Sequence, residues 1–311
     1  MIFNFLLSNH HETTLNSLSD LLEPIYQGLE AGGHHVIRFG VDFHQAPMVN
    51  ILVEFFQDDD FVEVLLRNKR EFGDRFVFGL LGTEDPEDDL VMGVYPNRRP
   101  NLQRLAAVAD FVWTLLPVER YYEEICGAGR VAWLRYGFCD GYVEPDIIVD
   151  PRLRDIDVLL YGNPHPYRDQ IARALNAGGL KCVGTQREAY PDFVAADMIR
   201  RAKILLDVRR STDVRFLSPT RIMRGLHSGT SVVSERYDRS PLAYFYDYVS
   251  PATYEELPGQ CWDIIQGGRY IEMARAALMK FRDETSMAAN MAAALGLPVF
   301  ERLRRAGGAA P

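Results

Sequence analysis

Apolar runs of strand length alternate along this chain with longer stretches whose apolar positions recur every three or four residues. The runs IFNFLLS, HVIRF, VNILVEFF, RFVFGLLG, FVWTLL and VAWLRYG read as strands. Between them LNSLSDLLEPIYQGLEAGG and the stretches 61–72, 101–109 and 117–126 carry the helical period. Strands this apolar, separated by amphipathic helices, predict an open and mostly parallel sheet covered on both faces.

The pattern breaks at DGYVEPDIIVDPRLRDID, 140–157, which holds two prolines and many carboxylates and keeps no stable period. We read it as a linker. A second alternation follows: VLLYG, LKCVGT and KILLDV as strands, YRDQIARALNAGG and YPDFVAADMIRRA as helices, then SPTRIMRGLHSG as helix and TSVVSE as strand, and YDYVS as a short strand. Residues 261–295 read as one or two long helices. The expectation is an α/β protein of two Rossmann-like domains, residues 1–145 and 155–311, with an interdomain cleft and a C-terminal helical segment.

Composition narrows the partners. The 311 residues carry 34 Lys+Arg against 43 Asp+Glu, a net charge of −9, so a general nucleic-acid or anionic-membrane surface is disfavoured and any anion is bound locally. Cys126, Cys139, Cys182 and Cys261 are far apart and show neither metal-ligand nor disulfide spacing. No window reaches the roughly 18 apolar residues of a membrane span, and the N-terminus lacks a basic signal region. These features predict a cytoplasmic protein with no metal site.

Sheets of this kind bind ligands beyond the carboxyl ends of their strands, where the strand order reverses. Three segments qualify: SNHHE after the first strand, GNPHPYR after the first strand of the second half, and RRSTDVRFLSPTR ahead of the helix at 218–229. The segment RAKILLDVRRSTDVRFLSPTRIMRGLHSGTSVVSE resembles the donor-binding segment of GT-B-type glycosyltransferases, in particular their spore-maturation-protein-like branch. DVLLYGNPHPYRDQIARAL and GLEAGGHHVIRFG resemble that family's first donor-domain strand and its N-terminal helix-to-strand junction. The resemblance implies a metal-independent transferase with no cofactor beyond its co-substrate, moving a sugar from a nucleotide-sugar donor held by the second domain to an acceptor held by the first. It implies donor contacts at Gly162, Asn163, Arg168, Ser218, Thr220 and Arg221, with Arg221 as a catalytic candidate; His11 is the second candidate, because a His after the first strand can face the cleft as a general base or polarise a donor.

Physical chemistry agrees on Arg221. Ser218, Pro219 and Thr220 form an N-cap region, so Arg221 falls in a first helical turn, where a cation is unfavourable unless an anion sits beside it. A guanidinium there can neutralise a diphosphate leaving group. One departure matters. Where retaining members of the family carry two acidic residues eight apart, this chain has Phe216 and Arg224. Recognition of the nucleotide then differs, with Glu235 as a ribose acceptor and Arg224 holding a phosphate or an acidic sugar, or activity is lost. A non-catalytic protein that binds a nucleotide sugar or a partner chain and a nucleotide-sugar epimerase are the alternatives.

Plainer roles stand beside these. Arg221 and Arg224 can pair with carboxylates such as Asp213 or Glu235, and His10 and His11 can be solvated loop residues. His34 and His35 follow a Gly-Gly helix stop and read as a structural junction. The acidic loop 82–89 offers Glu84 or Asp85 as a base toward an acceptor hydroxyl, or is a solvated face. The aromatic stretch 240–248 fits core packing as well as stacking on a base.

Overall fold

The structure is a computed structural model and describes residues 1–7, 12–54, 56, 58–144, 147–185, 190–216, 218–236 and 243–307. The first half alternates β1 (Ile2–Leu6), α1 (Glu12–Ala31), β2 (His35–Gly40), β3 (Met48–Val53), α2 (Asp59–Phe72), β4 (Phe78–Gly82), α3 (Asp89–Met92), α4 (Arg98–Val108), β5 (Phe111–Thr114), α5 (Glu119–Cys126) and β6 (Val131–Trp133). Its six strands lie in the order β2-β1-β3-β4-β5-β6 with every described pairing parallel. The second half contains β7 (Ile156–Leu160), α6 (Pro166–Ala177), β8 (Cys182–Gly184), α7 (Asp192–Arg201), β9 (Ala202–Asp207), α8 (Pro219–His227), β10 (Ser231–Glu235) and β11 (Ser250–Ala252). These strands form a parallel sheet in the order β11-β10-β9-β7-β8. The expected two Rossmann-like α/β sheets are both present.

Helices α9 (Leu257–Gln266), α10 (Tyr270–Glu284), α11 (Met287–Ala294) and α12 (Pro298–Gly307) complete the chain. Sequence periodicity joins stretches that the backbone separates. Gly268 takes φ +66°, a conformation L side chains rarely adopt, and so ends the α9 segment. Residues 243–247, expected in part as a strand, make one 3₁₀ turn instead, and the strand starts at Ser250. The aromatic spacing there serves two directions at once. Phe245 is buried, while the Tyr246 hydroxyl reaches back 3.2 Å to donate to the Glu235 carbonyl.

Two compact units emerge: Met1–His11, Ile25–Tyr136 and Met287–Pro311 form the first, and Glu12–Pro24 with Gly137–Ser286 form the second. Aromatic packing draws the last helices into the first unit. Phe300 of α12 lies 6.0 Å from Phe3, 4.7 Å from Phe111 and 5.7 Å from Trp113, ring centre to ring centre. Gly28 of α1 lets α11 approach, because a Cβ there would fall 2.7 Å from the Met291 side chain.

The second unit is centred on Val158, Ile204, Leu206 and Val233, with Leu175 of α6 and Ile264 of α9 packed against the sheet. Much of what reads as linker is built into it. Buried Arg154 donates to the carbonyls of Ile148, Ala202 and Gly229 and to the Thr230 hydroxyl. It thereby ties 148–154 to the leading ends of β9 and β10. His227 of α8 is fully buried, with Nδ1 2.8 Å from the Met223 carbonyl and Nε2 accepting from the Cys139 N–H at 3.1 Å. That pairing requires the neutral tautomer protonated at Nδ1.

Candidate functional site

In the second sheet β7 has β8 on one side and β9 on the other, so the order reverses between β7 and β9. In open α/β sheets ligands bind at such a reversal, beyond the carboxyl ends of the two strands. The turn after β7 and the loop after β9 meet at this point. Gly162 has φ +124°, and a Cβ built on it would stand 3.1 Å from Arg168 Nη1 and 3.5 Å from Arg221 Nε. Glycine is what permits two guanidinium groups to close on one stretch of backbone. Its own N–H is held by the Thr185 hydroxyl at 3.3 Å.

Arg168 of α6 is buried and donates to two neutral acceptors, the carbonyls of Val208 at 2.9 Å and Asn163 at 2.7 Å. Burial first, and then the neighbouring Arg221 charge, pull its pKa down to about 9. Arg221 hydrogen-bonds the carboxylate of Asp207 and, at 2.9 Å, the Val208 carbonyl. Asp207 closes β9, is buried, and also accepts from the Ser234 hydroxyl at 3.0 Å. Burial pushes its carboxyl pKa upward against the pull of Arg221. Two cations thus share one carboxylate around Gly162, an arrangement that favours an added anion.

The flanking carboxylates are occupied. Glu235, buried at the end of β10, takes the Arg209 N–H at 3.0 Å, Arg209 Nε at 3.0 Å and Nη2 at 2.6 Å, and the Tyr167 hydroxyl at 2.8 Å. Tyr167 in turn stacks on Tyr254, with ring centres 4.1 Å apart. Arg224 diverges from Arg221. It lies 3.7 Å from Asp20 and 3.3 Å from Glu144, with its guanidinium 5.2 Å over the Tyr142 ring. The other oxygen of Asp20 accepts from the hydroxyl of Tyr161, the residue just before Gly162.

A proline frees the Asp20 backbone carbonyl for a second contact at this place. Pro24, four residues on in α1, has no N–H to give to the Asp20 carbonyl, and the Tyr142 hydroxyl fills that vacancy at 3.3 Å. Of the candidates named from sequence, Gly162, Asn163, Arg168 and Arg221 come together around one turn. Ser218 stands at the N-cap of α8 with extended backbone but without a side-chain capping bond, and Thr220 follows in the first turn. The carboxylate partners of Arg221 and Arg224 are Asp207, Asp20 and Glu144 rather than Asp213 or Glu235. His10 and His11 lie outside the described residues.

Other candidates resolve into packing. His34 follows Gly33, whose φ is +76°, and its ring meets Phe3 edge-on at 5.5 Å. In the acidic loop Glu84 is exposed and Asp85 buried. The loop is anchored by a residue that reads in sequence as part of a strand, Glu54, which accepts from the N–H groups of Thr83 at 2.9 Å and Glu84 at 3.1 Å. Asp20, Tyr161 and Arg209 also carry no local signal, since their partners lie up to 141 residues away. Asp207 does carry one, as the polar residue that ends an apolar run. Among the described residues no helix is long and apolar enough to cross a membrane, and no group of three or more His, Cys, Asp and Glu could hold a metal.

No protein-family model matches the chain, and no curated protein sequence matches it. Solved structures do. An α-glucosyltransferase in complex with UDP and a mismatched 13-mer DNA superposes with a TM-score of 0.61 at 8% identity, over 97% of this chain and 98% of that one. A Listeria monocytogenes protein described as a putative UDP-N-acetylglucosamine 2-epimerase gives 0.53 at 11% identity, over 97% of each chain. The S. aureus protein MnaA, solved with UDP, gives 0.52 at 9%, again over 97% of each. The class these similarities define is the GT-B fold across essentially the whole chain. At such identities they define no branch within it.

Proposed function

We propose that the second unit binds a nucleotide sugar by its diphosphate and that the protein is a glycosyltransferase passing the sugar to an acceptor. The observation that carries this reading is the pair Arg168 and Arg221 closing on Gly162, with Asp207 hydrogen-bonded to Arg221 and Arg168 bonded to backbone carbonyls. As a glycosidic bond to a diphosphate breaks, negative charge accumulates on the leaving phosphate. Two fixed guanidinium forks in a partly dry turn stabilise that charge without reorganising. They supply the electrostatic role a divalent ion has in other transferases, so the reaction proposed is metal-independent. The resemblance of 201–235 to the GT-B donor-binding segment supports the donor assignment and leaves the acceptor unnamed.

The test is calorimetric titration of UDP, GDP, ADP and CDP into the parent and into an Arg221→Met/Asp207→Asn double variant. The double change removes the cation without leaving a lone buried carboxylate. The variant is expected to lose at least about 2 kcal/mol of binding to whichever diphosphate the parent prefers. Failure of all four to bind the parent at millimolar concentration overturns the donor assignment. Nucleotide release from a matching nucleotide sugar, persisting in EDTA, is expected of a transferase. Interconversion of the nucleotide sugar without release identifies an epimerase, and turnover that needs added magnesium or manganese removes the metal-free part.

A further inference from the structure

We infer that the site reads the anion of its nucleotide and not the ribose diol, so that ribonucleoside and 2′-deoxyribonucleoside diphosphates bind alike. The inference rests on the donor-binding reading above and adds a specificity to it. Recognition of a ribose diol requires an acceptor, usually a carboxylate near the phosphate turn that takes one or both hydroxyl protons. Among the described residues the second unit brings three buried carboxylates to this region, Asp207, Glu235 and Asp20, and each already faces donors of the protein. Asp207 holds Arg221 and the Ser234 hydroxyl. Glu235 receives four hydrogen bonds, three from Arg209 and one from Tyr167. Asp20 holds the Tyr161 hydroxyl and faces Arg224, whose other side is met by Glu144.

These three residues are at most 3% exposed, so a ribose hydroxyl can reach their oxygens only by displacing the buried cations and phenols packed against them. The displaced group is then left desolvated and unpaired, which costs more than a neutral hydroxyl returns. The cations divide in the opposite way. Arg209 and Arg224 are matched to carboxylates, whereas the hydrogen bonds of Arg168 go to backbone carbonyls, which do not cancel its charge. What the site still lacks is negative charge rather than a hydrogen-bond donor.

The experiment pairs each of UDP, GDP, ADP and CDP with its 2′-deoxy counterpart in competition titrations against the parent protein. The expected result is a dissociation constant within about twofold for each pair, together with competition by inorganic pyrophosphate. A tenfold or greater preference for the ribonucleotide overturns the inference while leaving the donor assignment standing. Binding of no diphosphate in either series overturns the donor assignment itself. If the preference appears and Asp213→Ala abolishes it, the diol is read from the exposed loop between β9 and α8, and the inference falls for that reason.

Discussion

The two sheets carry polar clusters of opposite charge beyond the carboxyl ends of their strands. Beyond β3 and β4 of the first, buried Glu54 and Asp85 surround buried Arg98, and the Arg98–Glu54 pair is a loose 4.0 Å contact. Beyond β7 and β9 of the second, Arg168 and Arg221 surround Asp207, and the Arg221–Asp207 pair is hydrogen-bonded. One cluster holds two acids to one base and the other two bases to one acid. Glu54 spends its carboxylate on fixing the 83–84 loop, and its other oxygen makes no hydrogen bond. The strand order reverses between β1 and β3 in the first sheet and between β7 and β9 in the second, so only the second cluster lies between strands at a reversal, and its surplus positive charge is what the donor-binding proposal rests on.

The sharpest way to break this contrast is to delete the cation on each side. Arg221→Ala strands a buried carboxylate, and we expect a loss of about 3 kcal/mol in denaturant unfolding at pH 7. Adding Asp207→Asn should return most of that loss. Arg98→Met in the first unit also strands a buried carboxylate, Glu54, but across a longer 4.0 Å contact, and should cost about 2 kcal/mol. Equal costs for the two substitutions would mean that the clusters are electrostatically equivalent and the contrast is wrong.

Glycine gives a smaller and more selective probe. Gly162→Ala forces a side chain onto φ +124° and into Arg168, at an expected cost of about 2 kcal/mol with at least a tenfold loss of diphosphate affinity. Gly82→Ala puts a Cβ 2.6 Å from the Tyr122 hydroxyl, and it should lower stability with no selective effect on nucleotide binding. A parallel loss of binding in both variants would point to general unfolding rather than a phosphate turn.

The smallest effect is in the pH dependence of the first cluster. Burial raises the Glu54 pKa above its ordinary value, with Arg98 only partly opposing it. The folded state therefore holds the proton more tightly than the unfolded state. The stabilising contribution is complete below the ordinary glutamate range and is lost as pH rises through the higher folded value. Glu54→Gln removes this titration. The parent should lose on the order of 1 kcal/mol relative to the variant between acid and neutral pH. Parallel stability profiles across that range would show that folding leaves the Glu54 pKa unchanged.

Both sheets, and the loop-helix-strand segment around Arg221, were legible because each is written locally, in apolar runs, glycine stops and an N-cap region. The α9–α12 boundaries were harder, since Ala- and Met-rich stretches keep a helical period across breaks that packing imposes. Phe300 carries no mark that it belongs against Phe3 and Trp113. The region around Arg224 was read by position alone. Its surroundings depend on Asp20 and Glu144, more than 200 and exactly 80 residues away in sequence order respectively, and no local pattern announces them.

The grouping of residues 12–24 of α1 with the second unit has a practical consequence for anyone cutting or recombining the protein. A fragment begun at residue 155 has all five strands of the second sheet but omits Asp20, Tyr142 and Glu144. Its Tyr161 hydroxyl and its Arg224 guanidinium would meet water where the intact chain supplies carboxylates. The second unit is therefore not a cassette. A chimaera that exchanges it for a homologous half must carry residues 12–24 along with the sheet, or inherit from its new host a helix able to present an acid at the same point.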